Sequence, residues 1–206
     1  MSEFRRRLMT LQQEKEYYFL KYIENTGQQQ WIDTGYYATA NSEIIITVKN
    51  LDPKGAYLYF GDKTSASQHC TITTNKFDEG NIVYAVFGNT VLNTGISSLD
   101  GVFNEHKINK TGYFLNGVFI SSWSGNVLSK TAGTLFLFTR NIGGKPEQDR
   151  WRKIAISEFI IKENGVIVMH LKPIIGTDGI PCMYDLISEK KFYNKGEGSF
   201  IAGPKA

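Results

Sequence analysis

Two tryptophans in polar stretches are the residues best suited to binding chemistry. Trp123 lies within the polar run 121–126, and Trp151 ends the polar stretch 140–151. An aromatic ring can stack on the apolar face of a sugar, while amide and charged groups bind its hydroxyls. We therefore predict a ligand-binding surface that contains Trp123, Arg140, Asn141, Gln148 and Trp151. The alternative is that the loop tryptophans cover an edge of the core.

Carboxylates and histidines could catalyse a reaction, but their spacing matches no common catalytic motif. Residues two apart on a strand share a face, so paired acids of a glycosidase are expected at that spacing. Asp78 and Glu79 are adjacent, and Glu158 and Glu163 are five apart with no aspartate between them. For each of His69, His106 and His170, a structural or exposed role is more typical than a catalytic one. The sequence contains no phosphate-binding loop, dinucleotide fingerprint or zinc-protease motif, and it predicts a protein that is not an enzyme.

The metal and thiol chemistry of the chain is sparse. Cys70 and Cys182 are the only cysteines, and we expect two unpaired core thiols rather than a disulfide. The chain has no calcium loop of the D-x-[DN]-x-[DN]-G kind. Asp33, Asp62 and Asp178 could contribute to a calcium site at a rim, although aspartate is more often a turn residue. We therefore predict no cofactor.

The charge and hydropathy of the chain exclude two classes of partner. Lys and Arg number 23 against 20 acidic residues, a net charge of +3 that is too small to predict nucleic-acid binding. No apolar run approaches the roughly 18 residues of a membrane helix, so no membrane insertion is expected. The stretch 8–13 after the arginines at 5–7 is too polar for an export signal.

Residues 1–16 differ from the rest of the chain and are predicted to form an N-terminal arm. They contain Arg5, Arg6 and Arg7 followed by a polar run, with few apolar side chains to bury. Guanidinium groups can bind carboxylates of a partner through two hydrogen bonds. We expect this arm to be an attachment segment, and residues 17–206 to form one folded domain; the alternative is a solvated basic tail.

From Tyr17 onward, short apolar stretches are broken about every ten residues by Gly, Asn or Asp, which is typical of an all-β sandwich. The dipeptides Asn116-Gly117 and Asn164-Gly165 each separate two apolar runs and predict type I′ hairpins. No convincing helical period occurs after residue 16. The other predicted strands are Tyr18–Glu24, Trp31–Tyr36, Ser42–Lys49, Ala56–Phe60, Thr71–Thr74, Ile82–Phe87 and Leu135–Phe138.

Motifs at both ends of the chain resemble one family. The stretch 20–35 is similar to the opening strand pair of laminin-G-like domains, and 183–186 followed by 192–200 is similar to their closing motif. The stretch 153–165 resembles a hairpin of the same family. The resemblance implies an antiparallel two-sheet jelly-roll sandwich of the concanavalin A type, with its first and last strands side by side and Trp31 in the core. The glycosidase motif E-x-D-x-x-E of some concanavalin A-like enzymes is absent.

The resemblance also implies where such a protein acts, because these domains recur in bacteriophage virion proteins and bacterial surface proteins. We expect a non-enzymatic virion protein that binds host-surface glycans, other virion proteins or copies of itself. The alternative is a bacterial surface or secreted carbohydrate-binding module. A glycosidase with carboxylates drawn from separate strands is a third hypothesis, which nothing in the spacing favours.

Overall fold

The structure is a computed structural model that describes residues 17–27, 29–52, 56–74, 82–97, 101–148 and 152–206. The predicted arm with Arg5, Arg6 and Arg7 lies outside these residues. The described part contains strands and no helix, so it has no helix that could span a membrane. The strands are β1 (Tyr17–Phe19), β2 (Ile23–Glu24), β3 (Ile32–Asp33), β4 (Ser42–Asn50), β5 (Leu58–Asp62), β6 (His69–Thr74), β7 (Ile82–Gly88), β8 (Val91–Ser97), β9 (Asn104–Asn109), β10 (Gly112–Leu115), β11 (Val118–Ser121), β12 (Phe136–Leu137), β13 (Asn141–Ile142), β14 (Lys145–Pro146), β15 (Ile154–Glu163), β16 (Val166–Gly176), β17 (Pro181–Asp185), β18 (Lys191–Phe192) and β19 (Ile201–Ala202).

These strands form two sheets, which confirms the predicted all-β sandwich. The large sheet has eleven strands in the order β11-β10-β9-β4-β15-β16-β17-β18, with β1 beside β16, β2 beside β15 and β19 beside β2. The small sheet has eight strands in the order β14-β13-β5-β6-β7-β8, with β12 beside β5 and β3 beside β12. Pairing is antiparallel except for one parallel bridge between Asn141 and Asp62. The jelly-roll connectivity stays a prediction.

Both predicted Asn-Gly hairpins are confirmed. Asn116 and Gly117 have φ of 50° and 78° between β10 and β11, and Asn164 and Gly165 have φ of 52° and 81° between β15 and β16. A type I′ turn requires positive φ at both central residues, which asparagine and glycine tolerate best. The turn chemistry therefore sets the register next to each turn, and each strand pair then shifts register once, at Tyr113/Phe114 and at Ile161/Lys162.

The core lies between the sheets and follows from the alternation along each strand. In β4, the side chains of Ile44, Ile46 and Val48 are buried, while Glu43, Thr47 and Lys49 on the other face are only partly buried. Phe159 of the large sheet meets Phe60 of the small sheet edge to face, with ring centroids 5.6 Å apart. Such pairs add specific packing to the burial of apolar area.

The two cysteines also match the sequence-based expectation. Cys70 and Cys182 are both buried and both free. Cys70 lies on β6 and belongs to the main core cluster, as a small apolar side chain would.

The two ends of the domain close on each other, as the motifs predicted. Strand β19 pairs with β2, and Leu20 forms a bridge with Lys205. Just outside the strands, the Asn194 side-chain oxygen accepts a hydrogen bond from the Trp31 backbone at 3.0 Å. Trp31 itself was expected in the core but is only partly buried. Its neighbour Ile32 belongs to the core cluster instead, and the Trp31 ring stacks on Phe136 with centroids 4.2 Å apart.

Candidate functional site

Trp123 is a partly buried side chain packed against the core. Its ring stacks on Phe87 at a centroid distance of 6.1 Å, and its indole N–H donates to the Asn109 carbonyl at 2.7 Å. Both its face and its polar atom are therefore engaged within the protein. This is the edge-covering arrangement that the sequence left open as the alternative for a loop tryptophan.

The segment from Arg140 to Gln148 folds as the small hairpin β13–β14, with Gly143 and Gly144 at its tip. Arg140 is 8% exposed, and its guanidinium holds Glu147 through an Nε–Oε2 ion pair of 2.6 Å and an Nη2–Oε1 hydrogen bond of 2.9 Å. Such a two-point contact orients the guanidinium rigidly.

The other predicted binding residues lie elsewhere. Asn141 is buried, donates to the Thr134 carbonyl at 3.0 Å and accepts from the Gly144 backbone at 2.7 Å. Gln148 accepts a side-chain hydrogen bond from Gln29 at 3.0 Å on the surface. Trp151 lies outside the described residues. Among the four described members of the predicted surface, only Arg140 lines a groove on the small sheet.

That groove lies on the small sheet and has a volume of about 260 Å³. Its floor comes from alternate residues of β6 and β7, which share one face of the sheet because side chains alternate along a strand. The floor is buried although it lies on the face turned away from the core, so the groove is a recess and not a flat surface. Its lining is Lys63, His69, Thr71, Thr73, Thr74, Tyr84, Val86, Val91 and Arg140.

The threonines of the floor are fixed by hydrogen bonds to the neighbouring strand. The Thr71 hydroxyl donates to the Phe60 carbonyl at 2.7 Å, and the Thr73 hydroxyl donates to the Tyr57 carbonyl at 2.6 Å. Gly61 permits this close approach, since a Cβ at that position would lie 2.5 Å from Thr71 Cβ. The floor is therefore preorganised before any ligand arrives.

His69 forms one wall of the groove and is neutral at neutral pH. Burial lowers its pKa, and the nearby positive charges of Lys63 and Arg140 lower it further. Within the part of the chain that the structure describes, the His69 Nε2 atom has no hydrogen-bond partner. The described lining combines an ammonium group, a guanidinium group, a neutral imidazole, threonine hydroxyls, one tyrosine and two valines, and it contains no carboxylate.

The glutamates considered for catalysis lie on the large sheet instead. Burial acts to raise the pKa of Glu158, but hydrogen bonds from Lys172 at 2.6 Å and His170 at 2.8 Å outweigh it and hold that pKa below its usual value. Glu163 also has a lowered pKa. A general acid of a glycosidase needs a raised pKa, so neither carboxyl is prepared for that task.

The remaining histidine and the three turn aspartates have structural roles. His106 is buried, its Nδ1 lies 2.8 Å from the Tyr113 hydroxyl, and burial lowers its pKa to about 3. Asp33, Asp62 and Asp178 each accept a hydrogen bond from the backbone N–H two residues further on, as turn aspartates do. The described residues contain no cluster of three or more histidine, cysteine or acidic side chains that could hold a metal.

Sequence reasoning missed most of the groove. Lys63, Tyr84 and the floor threonines were not singled out, and His69 was expected to be structural or exposed, although the alternation of Thr71 and Thr73 on a predicted strand is a signal for a polar face. Compared with known proteins, the chain matches no family model and no curated protein, so the laminin-G-like resemblance of its motifs stays a prediction.

Proposed function

We propose that this protein is a non-enzymatic adhesion module whose small-sheet groove binds a glycan. The observation that carries the proposal is the preorganised recess, in which a tyrosine and two valines stand beside threonine hydroxyls and a lysine. Sugars present an apolar face and a polar edge, so a site with both kinds of group suits them.

The groove favours binding over catalysis because of where charges lie. Hydrolysis of a glycosidic bond needs two carboxyl groups that flank the bond. The described lining offers Lys63 and Arg140 but no acid, and Glu158 and Glu163 on the other sheet are held by their own partners. The groove can therefore hold a saccharide without activating water or protonating a leaving group.

The setting that we propose is a bacteriophage virion, with residues 1–16 as the attachment segment to neighbouring virion proteins. The support is the resemblance of the end motifs and the basic run Arg5, Arg6 and Arg7. A bacterial surface or secreted carbohydrate-binding module is the alternative. Flanking genes for capsid and tail proteins would favour the first setting, and genes for polysaccharide use would favour the second.

The test is a glycan array followed by titration calorimetry with the best glycan. Tyr84→Leu, which keeps apolar bulk, and Lys63→Gln should each weaken binding about tenfold, equal to about 1.4 kcal/mol. The matched control is Lys172→Gln, which removes a lysine on the other sheet and should leave affinity unchanged. No reducing sugar should be released during the titration. Absence of binding to any glycan, or equal binding by all three variants, would overturn the proposal.

A second function, contact with other subunits, is favoured by one observation. Val166, Ile167 and Val168 at the start of β16 are 66%, 39% and 38% exposed, which places three consecutive apolar side chains in solvent. Exposed apolar patches often mark protein interfaces. If they contact a second copy, the mass measured in solution by light scattering should exceed that of one chain, and Ile167→Ser should reduce it.

A further inference from the structure

A second recess lies on the large sheet, at the end where two turns meet the start of β4. Its volume is about 290 Å³, and its lining includes the polar residues Asn41, Glu43, Asn109, Thr111 and Asn164. Pockets for drug-sized ligands are generally about 300–1,000 Å³, so this recess suits a smaller unit such as one sugar ring.

Two of the three charged residues that line this recess, Glu43 and Lys162, are already paired with each other, and the third, Lys110, is exposed. Glu43 accepts hydrogen bonds from Lys162 at 2.8 Å and from the Asn109 amide at 3.0 Å, and Lys107 lies 3.7 Å from it. These contacts cross three neighbouring strands, since Glu43 is on β4, Lys162 on β15, and Asn109 and Lys107 on β9. They fix the shape of the recess and leave its carboxylate unavailable for other chemistry.

Other polar groups of the recess are not paired within the described part of the chain. The side-chain amides of Asn41 and Asn164 and the hydroxyl of Thr111 make no hydrogen bond there, and all three residues are exposed. Amide and hydroxyl groups both donate and accept, which is what recognition of sugar hydroxyls requires.

An exposed aromatic ring lies over Gly112, next to the recess. Phe119 is 50% exposed, and its Cε2 lies 2.9 Å from the point that a Cβ on Gly112 would occupy. Phe119 is outside the lining itself, but Gly112 is paired with Asn109 of the recess and follows Thr111. The ring is held in place by Phe114, edge to face at a centroid distance of 5.4 Å.

We propose that this recess is a second saccharide site, separate from the small-sheet groove. The Phe119 ring would cover the apolar face of one sugar unit, and the amides of Asn41 and Asn164 would bind its hydroxyls. Two sites on different sheets would let one chain hold two segments of a polysaccharide, which raises the strength of attachment without tighter binding at either site.

The test is an NMR titration of the ¹⁵N-labelled full chain with the methyl glycosides of glucose, galactose, mannose and N-acetylglucosamine. We expect at least one glycoside to shift the side-chain amide signals of Asn41 and Asn164 together with the backbone signal of Thr111. Asn164→Gly, which keeps the positive φ of the turn, and Phe119→Leu should each raise the dissociation constant from this titration at least tenfold. Asn116→Gly makes the same exchange in the other type I′ turn and should leave the dissociation constant unchanged.

The outcomes separate the two sites. The second site would be overturned if the signals of Tyr84 and Lys63 shift and those of the recess do not. It would also be overturned if the recess signals still shift in both Asn164→Gly and Phe119→Leu. Either outcome leaves the groove proposal standing. Recess shifts without groove shifts would support the second site and count against the groove. If none of the four glycosides shifts a recess signal, the second site is overturned. Unchanged dispersion of the other signals checks that each variant is folded.

Discussion

On the large sheet, the Glu163 carboxylate accepts hydrogen bonds from three hydroxyls, whereas on the small sheet the Asp62 side chain is fully buried and its Oδ2 has no hydrogen-bond partner among the described residues. The pKa values follow this difference. Burial raises the pKa of Asp62 above its usual value. For Glu163, burial acts in the same direction, but the hydrogen bonds from Thr39, Tyr36 and Ser42 outweigh it and lower the pKa.

Charge pairing also differs between the large sheet and the groove, although not at every residue. Glu43 and Glu158 of the large sheet are paired with lysines, and on the small sheet Arg140 is paired with Glu147. Lys63 has no carboxylate among the described groove residues. Exposed ion pairs contribute only about 0–1 kcal/mol, and a charged group that already has a partner has less to gain from a ligand than an unpaired polar group has. Unmatched polar groups over a rigid floor are better placed to bind a partner.

The largest effect is expected from Gly61→Ala, which tests the rigidity of the small sheet. A Cβ there would lie 2.5 Å from Thr71 Cβ and 2.7 Å from the Cys70 carbonyl oxygen. Because backbone and a buried threonine must move, we expect a loss of about 3 kcal/mol in the free energy of unfolding, measured by urea denaturation.

The matched control for this variant is Gly165→Ala in the hairpin of the large sheet. Gly165 has φ of 81° and open space around its Cα, so alanine there suffers backbone strain of about 1 kcal/mol and no collision. If Gly61→Ala is no more costly than Gly165→Ala, the groove floor is soft and the claim of a preorganised site fails.

A smaller loss is expected from Glu163→Gln on the large sheet. The Tyr36 hydroxyl lies 2.6 Å and the Ser42 hydroxyl 2.8 Å from Oε2, and the Thr39 hydroxyl lies 2.6 Å from Oε1. Hydrogen bonds to a charged group are worth about 1.5–3 kcal/mol, and glutamine keeps only part of them, so we expect a loss of about 2 kcal/mol at neutral pH.

The pH dependence of this loss has a definite sign. Because the folded-state pKa of Glu163 lies below its unfolded value, the ionised carboxylate stabilises the fold above the unfolded pKa. That stability disappears as the pH falls through the folded pKa, so wild type and Glu163→Gln should converge in acid. Glu105→Gln on β9 is the control and should leave the free energy of unfolding at neutral pH unchanged. A gap between wild type and Glu163→Gln that stays constant at every pH would contradict the hydrogen-bond account.

The parts of the fold that were predicted correctly depend on local signals. Asn116-Gly117 and Asn164-Gly165 specify their turns through residues adjacent in sequence, and the β-branched run of β4 needs no information from elsewhere. Strand β8 was missed because Asn93, Thr94 and Gly95 stand in its middle, where they read as a turn. It forms as an edge strand because β7 supplies its hydrogen-bond partners.

The candidate site was harder to predict because its members come together only in the folded sheet. Arg140 lies just before β13, whereas His69 and Tyr84 lie on β6 and β7. Arg140 and Asn141 were predicted to act together, but adjacent residues in extended chain point to opposite sides. One therefore lines the groove, and the other is buried against the Thr134 carbonyl.

The smallest expected effect, of opposite sign, is a gain from Asp62→Asn. The carboxylate of Asp62 is buried beside Cys70; its Oδ1 accepts from the Thr64 hydroxyl at 2.6 Å and from the Thr64 backbone N–H at 3.4 Å, whereas its Oδ2 has no partner among the described residues. Asparagine keeps an oxygen for that hydrogen bond and removes the buried charge, so we expect the free energy of unfolding to rise by about 1 kcal/mol at neutral pH.

The pH dependence of this gain distinguishes charge burial from a packing effect. The folded-state pKa of Asp62 is raised above its unfolded value, so the folded protein binds the proton more tightly, and wild type becomes more stable as the pH falls through that window. The advantage of Asp62→Asn should therefore shrink in acid, whereas the deficit of Glu163→Gln shrinks there for the opposite reason. Asp178→Asn is the matched control, because Asp178 is an exposed turn aspartate with a lowered pKa, and its replacement should bring no gain. If Asp62→Asn is less stable than wild type at neutral pH, the buried carboxylate has a partner in solution. If the variant is more stable by the same amount at every pH, the gain comes from packing. Either result would contradict the difference in carboxylate pairing between the two sheets.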